Sequence, residues 1–135
     1  IVMQFMRGKR LKDIIDAGEE EGVLEWCREA GRCIARLHGG GLVHGDLTTS
    51  NFIISGGRLT LIDFGLSFYS DRVEDKAVDL HLLNMVAQSA HTVYAPRITA
   101  SVLEGYLEVA GRRETEGVLK RMREVERRGR YKQVE

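Results

Sequence analysis

The sequence predicts a mainly α-helical domain carrying one small β-hairpin, and three patterns predict it. Val23, Trp26, Cys27, Ala30, Ile34 and Leu37 recur at spacings of three and four, the mark of one buried helix face. The stretch from Ala77 to Ala90 is apolar around most of a helix's girth, with Val78, Leu80, Leu82, Leu83, Met85 and Val86, as suits a central helix. Between these, Phe52-Ile53-Ile54 and Leu59-Thr60-Leu61-Ile62 are short apolar runs separated by Ser55-Gly56-Gly57. Glycine supplies the positive φ that a tight hairpin turn requires.

In chain order, Ile1 to Met6 reads as a short apolar strand and Leu11 to about Ala17 as a short helix. The long amphipathic helix through Val23 and Leu37 is ended by Gly39-Gly40-Gly41, and it delivers the chain into a loop at His44. After the hairpin come the apolar helix over 77–90 and two further helices, Thr99 to Val109 and about Thr115 to Arg128. Asp79 is out of character in its apolar helix. A buried carboxylate needs hydrogen-bond donors around it.

With 135 residues the chain makes one domain at most, large enough for a real core. Hydrophobic residues at 43% and charged residues at 30% are ordinary for a soluble globular protein. No apolar run is long enough for a membrane helix and the start carries no signal-peptide pattern, so a cytoplasmic location is expected. Cys27 and Cys33 lie about 120° out of phase on one helix, so they do not bridge within it. Reduced, buried thiols are expected. His81 and His91 have no partner at metal-ligand spacing and read as core or surface residues.

Chemistry is concentrated in His44-Gly45-Asp46-Leu47-Thr48-Thr49-Ser50-Asn51 and, after the hairpin, in Leu61-Ile62-Asp63-Phe64-Gly65. Phosphoryl transfer needs an Asp to orient or deprotonate a hydroxyl, an Asn five residues later for a metal ion, and a second Asp for the ion that bridges the phosphates. Asp46, Asn51 and Asp63 supply all three. Any one of them alone is an ordinary turn residue. Two elements in this order, with strand-turn-strand between them, carry the reading, because pairing the strands brings Asn51 and Asp63 to one end of the hairpin.

Kinases carry the patterns H-R-D-L-x-x-x-N and D-F-G, and the chain matches both except that the Arg is Gly45. Loss of that Arg argues against a switch driven by activation-loop phosphorylation. Thr48 stands where protein kinases commonly have Lys, no Ala-Pro-Glu motif is present, and Pro96 is the only proline. The short span from Asp63 to Asp75 leaves little room for a peptide-docking groove. His-Gly-Asp-Leu also occurs in Rio kinases and aminoglycoside phosphotransferases. The longer run, through Leu61-Ile62-Asp63-Phe64-Gly65-Leu66-Ser67-Phe68 and Glu74-Asp75-Lys76-Ala77-Val78-Asp79-Leu80 to the basic end Arg127-Arg128-Gly129-Arg130-Tyr131-Lys132, resembles the small atypical serine/threonine kinase and ATPase of the KEOPS complex, a relative of the Rio kinases.

That resemblance implies a protein-kinase-like C-terminal lobe over residues 1–135, with a hinge at 1–8, the catalytic loop, hairpin and metal-binding turn at 44–65, and a basic tail at 127–135. It implies ATP and Mg²⁺ as cofactors, Asp46 as the catalytic residue, and Asn51 and Asp63 as metal ligands. Met3 would be the gatekeeper, Gln4 and Met6 would offer backbone groups to adenine, and Ile53 would line the floor of the base pocket. His44 would pack under the Asp63-Phe64-Gly65 turn, and Asp79 would accept bonds from the catalytic-loop backbone. The implied partners are the KEOPS catalytic subunit, which makes threonylcarbamoyladenosine in tRNA, and the other KEOPS subunits; no membrane partner is implied.

No Gly-rich loop, strand Lys or helix Glu precedes the hinge, so the amino-terminal lobe is expected to be missing and the chain alone to bind ATP weakly and catalyse little. Residues 112 to 132 hold nine Lys or Arg against four Glu, while the whole chain is neutral. Such an Arg-rich end fits an anionic partner such as tRNA, or else a solvated face in which Glu114, Glu116, Glu124 and Glu126 balance the cations. Two other functions fit the motifs less fully: a non-catalytic docking module for the tRNA-modifying subunit, and a small-molecule phosphotransferase.

Overall fold

The computed structural model describes the backbone of residues 8–18 and 20–134, and side-chain surroundings for all of these except 20, 21 and 130–134. The order is β1 (Lys9–Arg10), α1 (Leu11–Ala17), α2 (Glu20–Gly39), β2 (Leu42–Val43), a 3₁₀ turn (Thr49–Asn51), β3 (Phe52–Ser55), β4 (Arg58–Leu61), β5 (Phe68–Tyr69), α3 (Val73–Ala90), α4 (Ala95–Ala110) and α5 (Arg112–Val134). The architecture is mainly helical with small antiparallel sheets, as the sequence predicts. Met3, Gln4 and Met6, which the resemblance implies as hinge residues, lie outside the described residues.

Local chemistry accounts for the element ends. Gly18 closes α1 at φ 84° and donates its N–H to Ile15 at 3.2 Å, a left-handed cap that needs no side chain. The glycine run stops α2, with Gly41 N–H on the His38 carbonyl at 3.0 Å. The hairpin pairs Phe52 with Leu61 and Ser55 with Arg58 around a two-residue turn, Gly56-Gly57, at φ 57° and 74°. Two positive φ values give the turn whose twist matches the strands.

The core is formed where α2 lies against α4, with α3 and α5 alongside. Cys27, Ala30 and Ile34 meet Ile98, Val102 and Tyr106; Leu80, Leu83, Val118 and Met122 extend the cluster, and Leu47, Phe52 and Leu61 carry it under the loop from His44 to Asn51. The two long helices touch at backbone level. A Cβ built on Gly31 would sit 1.9 Å from the Val102 carbonyl oxygen, and one built on Gly105 would sit 1.9 Å from that of Arg28. Arg28 to Glu104 at 2.7 Å and Arg32 to Glu108 at 2.6 Å bridge the same crossing from its edge. Cys27 and Cys33 are free thiols, and burial pushes Cys27 up to about 12.

Several boundaries differ from the sequence prediction. The central helix starts at Val73, four residues early, because Glu74 and Asp75 suit the positive end of a helix and Ser70 Oγ holds Asp75 at 2.6 Å. It is also less enclosed than its composition predicts, since Val78 and Met85 face solvent. The next helix starts at Ala95 with Pro96 in its first turn, where a missing N–H costs nothing. Gly111 at φ 87° breaks the chain so sharply that the last helix begins at Arg112; it then runs unbroken to Val134, so residues 127–134 continue α5 and are not a separate tail. The strands β1, β2 and β5, two residues each, carry no sequence pattern and exist through their partners. Among the described residues no helix is long and apolar enough to cross a membrane.

Candidate active site

The loop from His44 to Asn51 is held from beneath by side chains of the helical core. Asp79, only 2% exposed, accepts the N–H of Gly45 on Oδ1 at 2.9 Å and the N–H of His44 on Oδ2 at 3.1 Å. His38 Nε2 lies 2.8 Å from the same Oδ2, so this nitrogen carries the proton. Tyr106 closes the network with its hydroxyl 2.8 Å from His38 Nδ1. Burial, with Glu114 and Asp79 adding negative charge, pushes the Tyr106 phenol above its ordinary value.

His44 is fully buried and has a defined tautomer. Its Nδ1 accepts the Asp46 N–H at 3.1 Å, which leaves Nε2 to donate to the Ile62 carbonyl at 2.9 Å. The ring also meets Phe64 edge to face at 4.9 Å. One imidazole therefore ties the loop at Asp46 to the chain on both sides of Asp63. Gly45 stands at φ 87°, and a Cβ there would lie 2.4 Å from the Leu66 carbonyl oxygen. The kinase Arg does not fit this backbone.

Asp46 and Asn51 come together. Asn51 Nδ2 donates to the Asp46 carbonyl at 2.9 Å and to Asp46 Oδ2 at 3.3 Å, which turns Asn51 Oδ1 away as a free acceptor. Asn51's own carbonyl receives the Ile62 N–H at 2.8 Å, so Asp63 follows directly on the residue that closes the open end of the hairpin. Asp63 has φ 63°, and it is the one non-glycine with positive φ among the described residues. Its carboxylate is exposed and has no hydrogen bond or ion pair there. A left-handed Asp is tolerable but uncommon, and such conformations cluster at functional sites.

Among the described residues no group of three or more His, Cys, Asp or Glu side chains is placed to hold a metal ion. A magnesium ion needs only one or two protein oxygens when phosphates complete its shell, and the Asn51 amide oxygen with the Asp63 carboxylate is a hard donor set of that kind. Ile53, 8% exposed in the middle strand of the β1-β3-β4 sheet, stands outside the main core cluster.

Beyond Asp63 the chain is short and pinned. Phe68–Tyr69 pairs with Leu42–Val43, and Ser70 N–H reaches the Gly41 carbonyl at 2.8 Å. This segment exposes Phe64, Leu66 (65%), Phe68 and Tyr69 (85%) beside the loop. On α5, Glu116 pairs with Arg112 at 3.3 Å and Glu124 with Arg121 at 3.1 Å, while Glu114 turns to Lys76 at 2.7 Å. Arg128 pairs with Glu74. Arg113, Lys120, Arg123 and Arg127 are exposed with no ion pair among the described residues, along one face of the helix, with about 10 Å between positions seven residues apart.

Three residues of this site escaped the sequence reading: His38, Tyr106 and Thr49. Their partners lie 41, 68 and 42 residues away, and no local pattern marks them. The one available signal was Asp79, a buried carboxylate whose donors had to come from somewhere.

The chain is similar to known proteins over nearly all of its length. The chain is 44% identical over 133 residues to the KEOPS complex subunit Bud32 of Pyrococcus abyssi, an alignment covering 98% of this chain and 60% of that protein. It is 36% identical over 131 residues to the probable serine/threonine-protein kinase BUD32 homolog of Archaeoglobus fulgidus, covering 97% and 62%. It is also 44% identical over 131 residues to a probable bifunctional tRNA threonylcarbamoyladenosine biosynthesis protein of Methanococcus vannielii, covering 97% of this chain and 22% of the relative. The chain thus spans about 60% of the length of its shorter relatives, and the resemblance to the KEOPS kinase read from its motifs is borne out. Residues 40–124, which contain Asp46, Asn51, Asp63 and Asp79, match the model of the phosphotransferase enzyme family, and the chain belongs to that family.

Proposed function

We propose that this chain is the catalytic lobe of an atypical serine/threonine kinase or ATPase that works with Mg-ATP as a subunit of a KEOPS tRNA-modifying complex. The observation that carries the reading is the loop in which Asp46 and Asn51 are hydrogen-bonded to each other, held by Asp79 from below, and joined through His44 to the Asp63 turn. Asp46 would orient or deprotonate the acceptor, a serine hydroxyl or a water, with the carboxylate oxygen that Asn51 leaves free. Asn51 Oδ1 and Asp63 would hold the magnesium, which when bound neutralises charge on the phosphates. Ile53, Gln4 and Met6 would take the adenine. With one lobe supplying these groups, the chain alone is expected to bind ATP weakly; micromolar affinity in an equilibrium titration of this polypeptide would contradict that.

The relatives' names support membership of a complex, and the proposed partners within it are the tRNA threonylcarbamoyl-transferring subunit and the other KEOPS subunits. The exposed cations of α5 without an ion pair among the described residues support contact with tRNA phosphates, and removal of residues 127–135, which takes away Arg127 with Arg128, Arg130 and Lys132, should then weaken tRNA binding by the assembled complex and flatten its salt dependence. The exposed Phe64, Leu66, Phe68 and Tyr69 favour a second reading, a docking platform in which phosphoryl transfer is secondary. Asp46→Ala separates the two. Loss of tRNA modification with the complex still assembled supports catalysis; modification retained supports the platform.

A further inference from the structure

His91 ends α3, and its ring is sealed in the interior at 4% exposure, far from any role the motifs gave it. Its backbone is fixed on both sides, the N–H donating to Ala87 at 2.9 Å and the carbonyl accepting the Tyr94 N–H at 3.0 Å. The ring therefore has little freedom. Nε2 lies 2.9 Å from Thr49 Oγ1, and Thr49 is itself buried as the first residue of the 3₁₀ turn that ends at Asn51. Nδ1 lies 3.2 Å from Asp16 Oδ1, within ion-pair range but not aligned as a hydrogen bond, so it is a buried polar atom without a proper partner. Such atoms need an explanation. Asp16 is half-exposed at the end of α1 and is the anion placed against the ring.

We infer that His91 is a positioning residue for the metal-binding turn: Asp16 holds the imidazole with its proton on Nδ1, and Nε2 then accepts the Thr49 hydroxyl and fixes the turn that presents Asn51. The inference rests on the proposed role of Asn51, which it extends to three residues from α1, the end of α3 and the turn itself. The physical case is one of compulsory pairing. Asn51 itself is tied at its N–H to Thr48, at its amide to Asp46 and at its carbonyl to Ile62, whereas the side chain of Thr49, at the start of the turn, has His91 as its partner. An imidazole oriented by the facing carboxylate ties the start of the turn to the end of α3, as outer-shell partners do for metal ligands elsewhere.

The test compares Thr49→Val, which keeps the shape and deletes the hydroxyl, with Thr49→Ser, which restores it. In the unaltered protein, long-range ¹⁵N NMR should show His91 protonated on Nδ1 and bare on Nε2. Thr49→Val should speed amide exchange at Asn51 and weaken binding of Mn²⁺ with ATP, each by about tenfold, while Thr49→Ser stays within about twofold. A proton found on Nε2, or Asn51 exchange unchanged in a folded Thr49→Val protein, overturns the inference. Weak binding of Mn²⁺ with ATP is what the proposed function expects of this chain alone, and where it is too weak to compare, the tautomer and exchange measurements decide the role of His91. If Thr49→Val does not fold, Asp16→Ala serves in its place, with loss of the Nδ1 proton and faster Asn51 exchange expected and neither change overturning the inference.

Discussion

Asp79 Oδ1 accepts the N–H of Gly45 at 2.9 Å, so a carboxylate from the middle of the helical core fixes the backbone of the loop that carries Asp46. The same carboxylate also serves His44 N–H and His38 Nε2. Replacing Asp79 by Ala leaves three buried donors without an acceptor. A loss of about 3–5 kcal/mol in unfolding free energy is expected, since removing one member of a buried charged network strands the rest. Chemical denaturation measures it, and a loss below about 1 kcal/mol would remove Asp79 from this role.

Gly45 is set by geometry and not by chemistry. Its φ of 87° and the 2.4 Å approach of a would-be Cβ to the Leu66 carbonyl leave no room for a side chain. Gly45→Ala should cost about 1–2 kcal/mol from the left-handed backbone alone. Leu66 must move as well, so amide shifts should spread through residues 64–68. Gly45→Arg, which restores the usual kinase residue, should be worse than Gly45→Ala in thermal melts, and a gain in stability would be incompatible with this backbone.

Glycines inside helices divide into two kinds here. Gly31 faces the Val102 carbonyl across the α2–α4 crossing, and Ala there should cost about 3 kcal/mol or more because backbone must separate. Gly117 on α5 has nothing within 4 Å of its Cβ position. Ala there should stabilise by about 0.5–1 kcal/mol through helix propensity alone. Paired melting curves decide both, and equal effects at the two positions would be inconsistent with a close helix crossing.

The crossing should also weaken in acid. The hydrogen bond from Arg32 holds the Glu108 carboxyl below its ordinary value of 4.5. Its folded value being depressed, its contribution is fully present above pH 4.5 and is lost as pH falls through the folded value. Both side chains are solvated, so the effect is small. Between pH 5 and pH 3 the unaltered protein should lose more stability than Glu108→Gln, which has no such proton to bind, and parallel pH curves would count against the pair.

How far the chain can be read without coordinates depends on how local each signal is. The helix through Val23 and Leu37 was legible because one face repeats every three to four residues, and the hairpin because Gly56-Gly57 permits only a tight turn. Asp46, Asn51 and Asp63 stand out as candidates because their spacing is short and their order is the one that the chemistry of phosphates asks for. Helix starts were less legible. Val73 and Ala95 begin their helices ahead of the apolar repeat, where Glu74, Asp75 and Pro96 were the only markers.

The sequence by itself determined the long helices, the hairpin, and the candidate residues Asp46, Asn51 and Asp63, because each of these is written within a few turns of chain. Only the tertiary structure decided that Gly31 meets Val102, that Tyr106 and His38 stand behind Asp79, and that His91 reaches Thr49. Those pairs join residues 41 to 71 positions apart. A hydrogen bond or a close backbone contact depends on distance in space, and distant residues leave no periodic trace of the partner they will meet.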